Sequence, residues 1–461
     1  MKICVIGTGY VGLTTGPCLA ALGHEVVCTD RDLAKIELLQ SGGMPIFEDR
    51  LAEVVEAGRH GGRLRFTADV AGAVRDAQAI FVCVGTPPGA DGKANLAAIE
   101  KVTRLIAETA TGYKLIIGKS TVPVHTADRM QKTLTAFRRS QFEFDLVSNP
   151  EFLREGTGVL DFFHPDRIVV GVATERAAGL MREIYGPVLD GSFQCAWHNQ
   201  PASECGWRPP YWLVTDVSSA ELIKHAANSF LSLKISYANA IADLCELTGA
   251  HADQVLLGLG LDQRIGRQFL RPGIGFGGFC FPKDLAAFVE MAGDLGYDFR
   301  LLREVQRINA SRVERFLARL REELWVVQGK TLGVLGLAFK PGTDDTRLSP
   351  AYAVIRELLQ LGASIRAHDP RAMERARGEL DGAITFCERA EDVALGAEAV
   401  LILTEWPEFR DLDWAAMAGQ MTRRLVFDGR NLIEPGFLER LGFEYHSIGR
   451  PRPTAEPSAA R

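Results

Sequence analysis

The chain has 461 residues, 47% apolar and 24% charged, with a net charge of −6. That length gives two or three domains with ample core, and the composition is that of a soluble globular protein. The negative balance argues against a general binder of nucleic acid or membrane surfaces, and no apolar run approaches the roughly 18 residues of a membrane span. Nine cysteines are scattered without a CxxC pair, which fits a reducing cytoplasm and not a disulfide framework.

The first predicted elements are the short apolar runs KICVIG, EVVCTD, AIFVCVG and KLIIGKS, separated by helix-length segments through residues 1–210. This alternation predicts a parallel sheet covered by helices. The first run enters a GxGxxG turn, Gly7-Thr8-Gly9-Tyr10-Val11-Gly12, so it reads as a strand and not as a signal peptide. The glycines permit a tight turn and close approach to a pyrophosphate, and the following helix supplies N–H groups and a favourable dipole. Asp30 closes the next strand, where a carboxylate accepts from both ribose hydroxyls and repels a 2′-phosphate. NAD is therefore expected over NADP, although the adjacent Arg31 is of a type that tolerates that phosphate. The charged stretch Asn149-Pro150-Glu151-Phe152-Leu153-Arg154-Glu155-Gly156 follows the strand-like FDLVS, at the ligand edge of such a sheet.

Residues 193–214, FQCAWHNQPASECGWRPPYWLV, hold Cys195, His198 and Cys205 with three tryptophans. Three ligands at a spacing foreign to zinc motifs predict a packed surface loop, and no metal is expected. Residues 218–247 lack Pro and Gly and suffice for about eight helical turns. Apolar residues on nearly all sides predict a helix buried along much of its length, a spine between two domains and a dimer interface. Ser218-Ser219, with Glu221 soon after, reads as its N-terminal cap. Lys224 and Asn228 share one face, and a lysine in an otherwise apolar helix needs a partner such as a bound oxyanion.

The stretch Gly275-Phe276-Gly277-Gly278-Phe279-Cys280-Phe281-Pro282-Lys283-Asp284 sets a cysteine among glycines, open to close approach by a ligand. Lys283 favours the thiolate, and Asp284 is placed to orient a group or handle a proton. A lone cysteine is more often a small core residue. Its company, with Lys224, Asn228 and Glu151, shifts the balance toward a nucleophile. The runs TLGVLGLAF, SIRAHDP, AVLILTEW and RLVFDGRN then predict a second, related α/β domain. The expected fold is α/β: two Rossmann-like doubly wound domains, at 1–210 and 326–450, joined by a long central helix and helical region at 211–325. A Pro- and Ala-rich tail at 451–461 is expected to be disordered.

Together GTGYVG, CVGTP (83–87), KSTVP (119–123), NPEFLREG, PDRIVVG (165–171), the Lys224/Asn228 helix, GFGG with CFPKD, and LAFKPGTDDTR (337–347) resemble the UDP-glucose 6-dehydrogenase family, within the UDP-glucose/GDP-mannose dehydrogenases. The resemblance implies a four-electron oxidation of UDP-glucose to UDP-glucuronate with two NAD, through a thiohemiacetal and a thioester on Cys280. Lys224 and Asn228 would manage charge on the hemiacetal oxygen, Asp284 and Glu151 are both candidates to activate water, and Thr121 would position the water or a proton relay. For the cofactor it adds Val11, Lys35, Thr86, Thr121, Glu155, Lys283 and Arg347 to the glycine turn. For the substrate it implies Phe152, Leu153, Arg154, Lys224, Asn228, the 269–277 loop with Phe269, Leu270, Arg271, Gly273, Phe276 and Gly277, then Phe339, Lys340 and Arg430. Arg264 would be lent by a neighbouring subunit, making a homodimer or higher homo-oligomer the active unit; no nucleic-acid or membrane partner is implied.

Three positions depart from the family pattern: Phe279 stands where Ser is usual, Leu348 where Glu is usual, and His125 where Gly is usual. Another nucleotide sugar, such as GDP-mannose or a UDP-N-acetylhexosamine, and a non-catalytic nucleotide-sugar-binding relative are the competing readings.

Overall fold

A computed structural model describes residues 1–89, 92–139, 141–380 and 382–451, so nearly all of the expected tail lies outside the described residues. The chain forms two compact units, Met1–Ala227 with Ala286–Leu295, and Asn228–Leu285 with Gly296–Arg461.

In the first unit the apolar runs become β1 (Lys2–Ile6), β2 (Glu25–Thr29), β3 (Leu64–Thr67), β4 (Ala79–Val82), β5 (Lys114–Gly118), β6 (Phe144–Ser148) and β7 (Arg167–Gly171). A two-residue pair, β8 (Gln194–Cys195) and β9 (Gln200–Pro201), precedes β10 (Tyr211–Thr215). The main sheet has the order β10-β7-β6-β5-β4-β1-β2-β3. Six of these strands run parallel in the doubly wound order, as expected. The other two differ: β7 meets β6 antiparallel, and β10 then pairs parallel with β7. Both faces are covered. Ile3 and Val5 enter one hydrophobic cluster while Cys4 and Ile6 enter the other, so the strands read as continuous apolar runs.

The second unit repeats the plan with β11 (Thr331–Leu335), β12 (Ser364–His368), β13 (Thr385–Phe386), β14 (Ala399–Ile402), β15 (Leu425–Asp428) and β16 (Glu444–Ser447). Its six-stranded sheet, β13-β12-β11-β14-β15-β16, is parallel throughout and has the same winding order. The fold is therefore α/β with two Rossmann-like sheets and a helical region between them in sequence.

The long helix spans Val217–Thr248, 32 residues. Its cap differs from the expected serine pair. Asp216 accepts from the backbone of Ser219 at 2.8 Å and from its hydroxyl at 2.6 Å. Glu221 instead reaches the start of another helix, Thr126–Phe137, and accepts from His125 N at 2.8 Å and Ala127 N at 3.0 Å. The helix is also less buried than its composition predicts. Phe230, Tyr237 and Leu244 are 61%, 50% and 55% exposed, and their seven-residue spacing puts them on one side.

Candidate active site

In the first unit the GxGxxG turn links β1 to the helix Tyr10–Ala21. Gly7 is left-handed at φ 101°, and a side chain there would strike Cys83 O. A methyl at Gly12 would lie 1.9 Å from Gly7 O, so only glycine lets the helix approach the strand. Gly9 differs, because the space around it is open. A turn packed beneath and clear above fits a dinucleotide pyrophosphate held by the helix N-terminus. Asp30, just past β2, accepts from Thr8 N at 2.9 Å and Thr8 Oγ1 at 2.8 Å, with Lys35 Nζ at 3.5 Å. Burial would raise its carboxyl, but the Thr8 bonds, the Asp32 N–H and Lys35 outweigh that and hold it below the usual range. It is thus an anion that suits ribose hydroxyls. Thr86 Oγ1 donates to Thr121 O at 2.9 Å, joining the rims of β4 and β5. Tyr10 opens the first helix, and Val11 is half-buried behind it.

The turn after β6 carries Glu151 inward. Lys224 Nζ lies 3.0 Å from Glu151 Oε1, and both side chains are under 10% exposed. Leu153 N donates to Glu151 Oε2 at 2.6 Å, and Lys224 sits 5.4 Å from the Phe152 ring centroid. The partner that the buried lysine requires is therefore Glu151. Beside them lies Lys119, missed by the sequence reading: it donates to Asn149 Oδ1 at 3.0 Å, and burial pushes it down to about 8. Also missed is Glu48, whose two oxygens accept from Gly156 N at 2.7 Å and Gly158 N at 2.6 Å. It anchors the end of NPEFLREG and keeps Glu155, half-buried, in that turn. Arg154 is held within the same loop by Asp161, at 2.5 Å.

In the second unit Cys280 is the first residue of the helix Cys280–Asp294 and is exposed. A helix N-terminus favours negative charge, a signal that sequence spacing did not show. Lys283 Nζ contacts Asp284 Oδ1 at 2.5 Å, and Asn228 Nδ2 donates to Asp284 Oδ2 at 2.7 Å. One amide hydrogen of Asn228 is thereby fixed. The glycines before the cysteine are compelled by their neighbours: a side chain at Gly277 would meet Leu348 O, and one at Gly278 the Phe339 ring. Gly273 N donates to Asn239 Oδ1 at 2.8 Å, and Arg430 Nη1 donates to Gly275 O at 2.9 Å. Arg430 thus braces the loop from the end of β15. Phe269 and Phe276 flank Phe281, with centroids 6.2 and 5.9 Å away. Leu270 is buried, Arg271 exposed, and Lys340 lies 5.7 Å from the Phe339 centroid. Arg264 is exposed and clasped by Asp262 at 2.6 Å. Phe279 takes the charge of Arg347 on its face, 4.5 Å from the centroid, with Lys283 at 5.6 Å. Arg347 is also forked onto Asp345 at 2.6 and 2.9 Å. A cavity of about 840 Å³ adjoins this loop, lined by Phe276, Asn309, Thr346, Leu348 and Tyr352 among others.

Over residues 1–189 the sequence matches the NAD binding domain of the UDP-glucose/GDP-mannose dehydrogenase family, over 218–311 its central domain, and over 333–435 its UDP binding domain. The chain belongs to that family. It is 40% identical to the Bacillus subtilis UDP-glucose 6-dehydrogenase TuaD, across 98% of this chain and 93% of that one. It is 41% identical to a UDP-glucose 6-dehydrogenase of Rhizobium meliloti, across 98% and 100%. The solved UDP-glucose dehydrogenase of Pyrobaculum islandicum superposes with a TM-score of 0.85 at 37% identity, covering 93% of this chain and 94% of that one. Within a dehydrogenase family the glycine turn and Asp30 have a ready use, and the exposed thiol at a helix start has one too.

Proposed function

We propose that this chain is an NAD-dependent UDP-glucose 6-dehydrogenase that carries the sugar C6 from alcohol to carboxylate. The observation that carries the reading is an exposed Cys280 at a helix N-terminus, in a chain of this family with an NAD-type glycine turn. NAD, when bound, accepts a hydride in each of two oxidations. Gly7, Gly9 and Gly12 admit its pyrophosphate, Asp30 takes its ribose hydroxyls, and Lys35, Thr86, Thr121, Glu155, Lys283 and Arg347 complete the expected cofactor set.

The first oxidation removes a hydride from C6 and a proton from its hydroxyl, leaving an aldehyde. The Cys280 thiolate adds to that carbonyl, and the covalent bond retains the aldehyde between oxidations. Lys224 and Asn228 stabilise charge on the hemiacetal oxygen. The second hydride leaves a thioester; water breaks its C–S bond, giving the carboxylate and restoring the thiol. The water proton goes to Glu151 or Asp284, each held by a lysine, and Thr121 positions the water. Phe152, Leu153 and Arg154, and the 269–277 loop, are the expected sugar contacts, with Phe339, Lys340 and Arg430 expected at the diphosphate. The working domains are 1–210 for NAD, 211–325 for the nucleophile and subunit contact, and 326–450 for the UDP-sugar.

The exposed stripe Phe230, Tyr237 and Leu244 supports a homodimer, to which each chain lends Arg264. None of the described helices is long and apolar enough to cross a membrane, and the absence of any disulfide among the nine described cysteines supports a reducing, cytoplasmic setting. The test supplies UDP-glucose and NAD and counts NADH. Two NADH per sugar are expected; one, with free aldehyde, overturns the double oxidation. Cys280→Ser lowers steady-state turnover by roughly 10³-fold or more, and wild-type rates in that variant remove Cys280 from the nucleophile role. GDP-mannose and UDP-N-acetylmannosamine, offered at equal concentration, test the sugar.

A further inference from the structure

The segment expected to be a packed loop with three ligand-type side chains has four in space. His164, just after the helix Gly158–Phe163, joins Cys195, His198 and Cys205, and the four ligand atoms all lie within 4.8 Å of one another. His164 Nε2 is 3.3 Å from Cys195 Sγ and 3.5 Å from Cys205 Sγ, and Cys195 Sγ is 3.3 Å from His198 Nδ1. With Zn–S near 2.3 Å and Zn–N near 2.0–2.1 Å, a tetrahedral site has sulfur–nitrogen edges of about 3.5 Å. Three of the four sulfur–nitrogen edges already lie at 3.3 to 3.5 Å.

From this geometry we infer that His164, Cys195, His198 and Cys205 form a structural zinc site in the first unit. Two sulfurs and two imidazole nitrogens in one compact set select zinc over the hard cations, and four protein ligands close the site to substrate. Cys195 ends β8, and His198 stands three residues on, in the turn of the β8–β9 hairpin. Its strands have two residues each, too few to hold a hairpin unaided. A metal bond to His164 ties the hairpin to the body of the unit.

The surroundings are those of a built site. Cys195 is fully buried. Burial raises its thiol, opposed by backbone N–H groups of His198 and Trp197 directed at the sulfur. Such N–H groups stabilise a bound thiolate. Beneath it Phe163 stacks on Phe193 at 5.3 Å, Trp207 meets Phe193 edge-on, and Trp207 Nε1 donates to Val188 O at 3.1 Å. On binding, the Cys195 and Cys205 thiols release two protons to solvent. Two thiolates then neutralise the dication, so the complex carries no net charge.

The test uses the untagged full-length protein, purified with zinc present and desalted. Elemental analysis is expected to give about one zinc per chain. Chelation should expose two further thiols to a thiol reagent and lower the melting temperature; this arm needs no variant. Cys205→Ser and His164→Ala should each lower retained zinc roughly tenfold or more. Cobalt reconstitution should give the visible bands of tetrahedral cobalt with thiolate charge transfer, absent in Cys205→Ser. A metal-free chain that takes up neither zinc nor cobalt overturns the inference, as does a Cys195–Cys205 disulfide in freshly purified protein.

Discussion

The two sheets begin alike and then part. Gly7 and Gly336 are both left-handed, at φ 101° and 98°. Gly7 N donates to Thr29 O, and Gly336 N to His368 O, each at 2.8 Å. Each neighbouring strand is followed by an aspartate, Asp30 and Asp369. Asp369 is consumed by its own unit. It accepts from Leu337 N, Ala338 N and Trp406 Nε1 on one oxygen and from Arg371 N and Ala372 N on the other, and is 1% exposed. The Asp30 side chain is 14% exposed and stands beside the open space over Gly9. One fold has thus made the same carboxylate a bolt in one copy and left it partly exposed in the other, where the proposed cofactor contact lies. The fold alone does not say which; the residues that crowd the aspartate do.

The comparison breaks most visibly at those aspartates. Asp369→Ala strands several buried N–H groups and should cost roughly 3 kcal/mol or more in urea unfolding, without changing NAD affinity. Asp30→Ala should weaken NAD roughly 10- to 100-fold in a fluorescence titration, with a smaller loss of stability than Asp369→Ala. Swapped outcomes would mean that the roles are assigned to the wrong copies.

A smaller effect belongs to the first unit. Burial raises Glu221 from 4.5 to about 7. Between those values the folded chain holds a proton that the unfolded chain has released, so stability falls as pH rises through this window. Lys119, lowered by burial to about 8, acts oppositely: from there to 10.5 the folded chain has lost a proton that the unfolded chain keeps, and stability rises. Glu221→Gln should flatten the acidic slope and leave the alkaline one, in melting curves from pH 4.5 to 10. The smallest effect is at His125. It adopts φ 70°, a conformation that favours glycine, and its exposed contact with Asp128 contributes little. His125→Gly should stabilise by about 1 kcal/mol, read as a raised melting temperature; a lower one would show that His125 makes a contact worth more than its strain.

Both sheets were legible in the sequence because strands buried on two faces are written as apolar runs. The antiparallel turn to β7 was not, since a strand's composition carries no pairing direction. The glycine turn and Asp30 were legible because their spacing is local. Glu48 and Asn239 were not: each serves a loop far along the chain, and alone reads as an ordinary polar residue. The same reason hid His164, which stands 31 residues before Cys195. The buried Lys224 did announce a need for charge, but its partner Glu151 had to come from another strand end.

Of the nine cysteines, Cys280 alone is exposed; the others are buried or partly so. A thiol reagent therefore meets one sulfur first, and a single alkylation in native buffer counts competent chains. Oxidants arrive by the same door. The accessibility that admits a sugar aldehyde to the proposed nucleophile ties the working life of each molecule to the reductant around it.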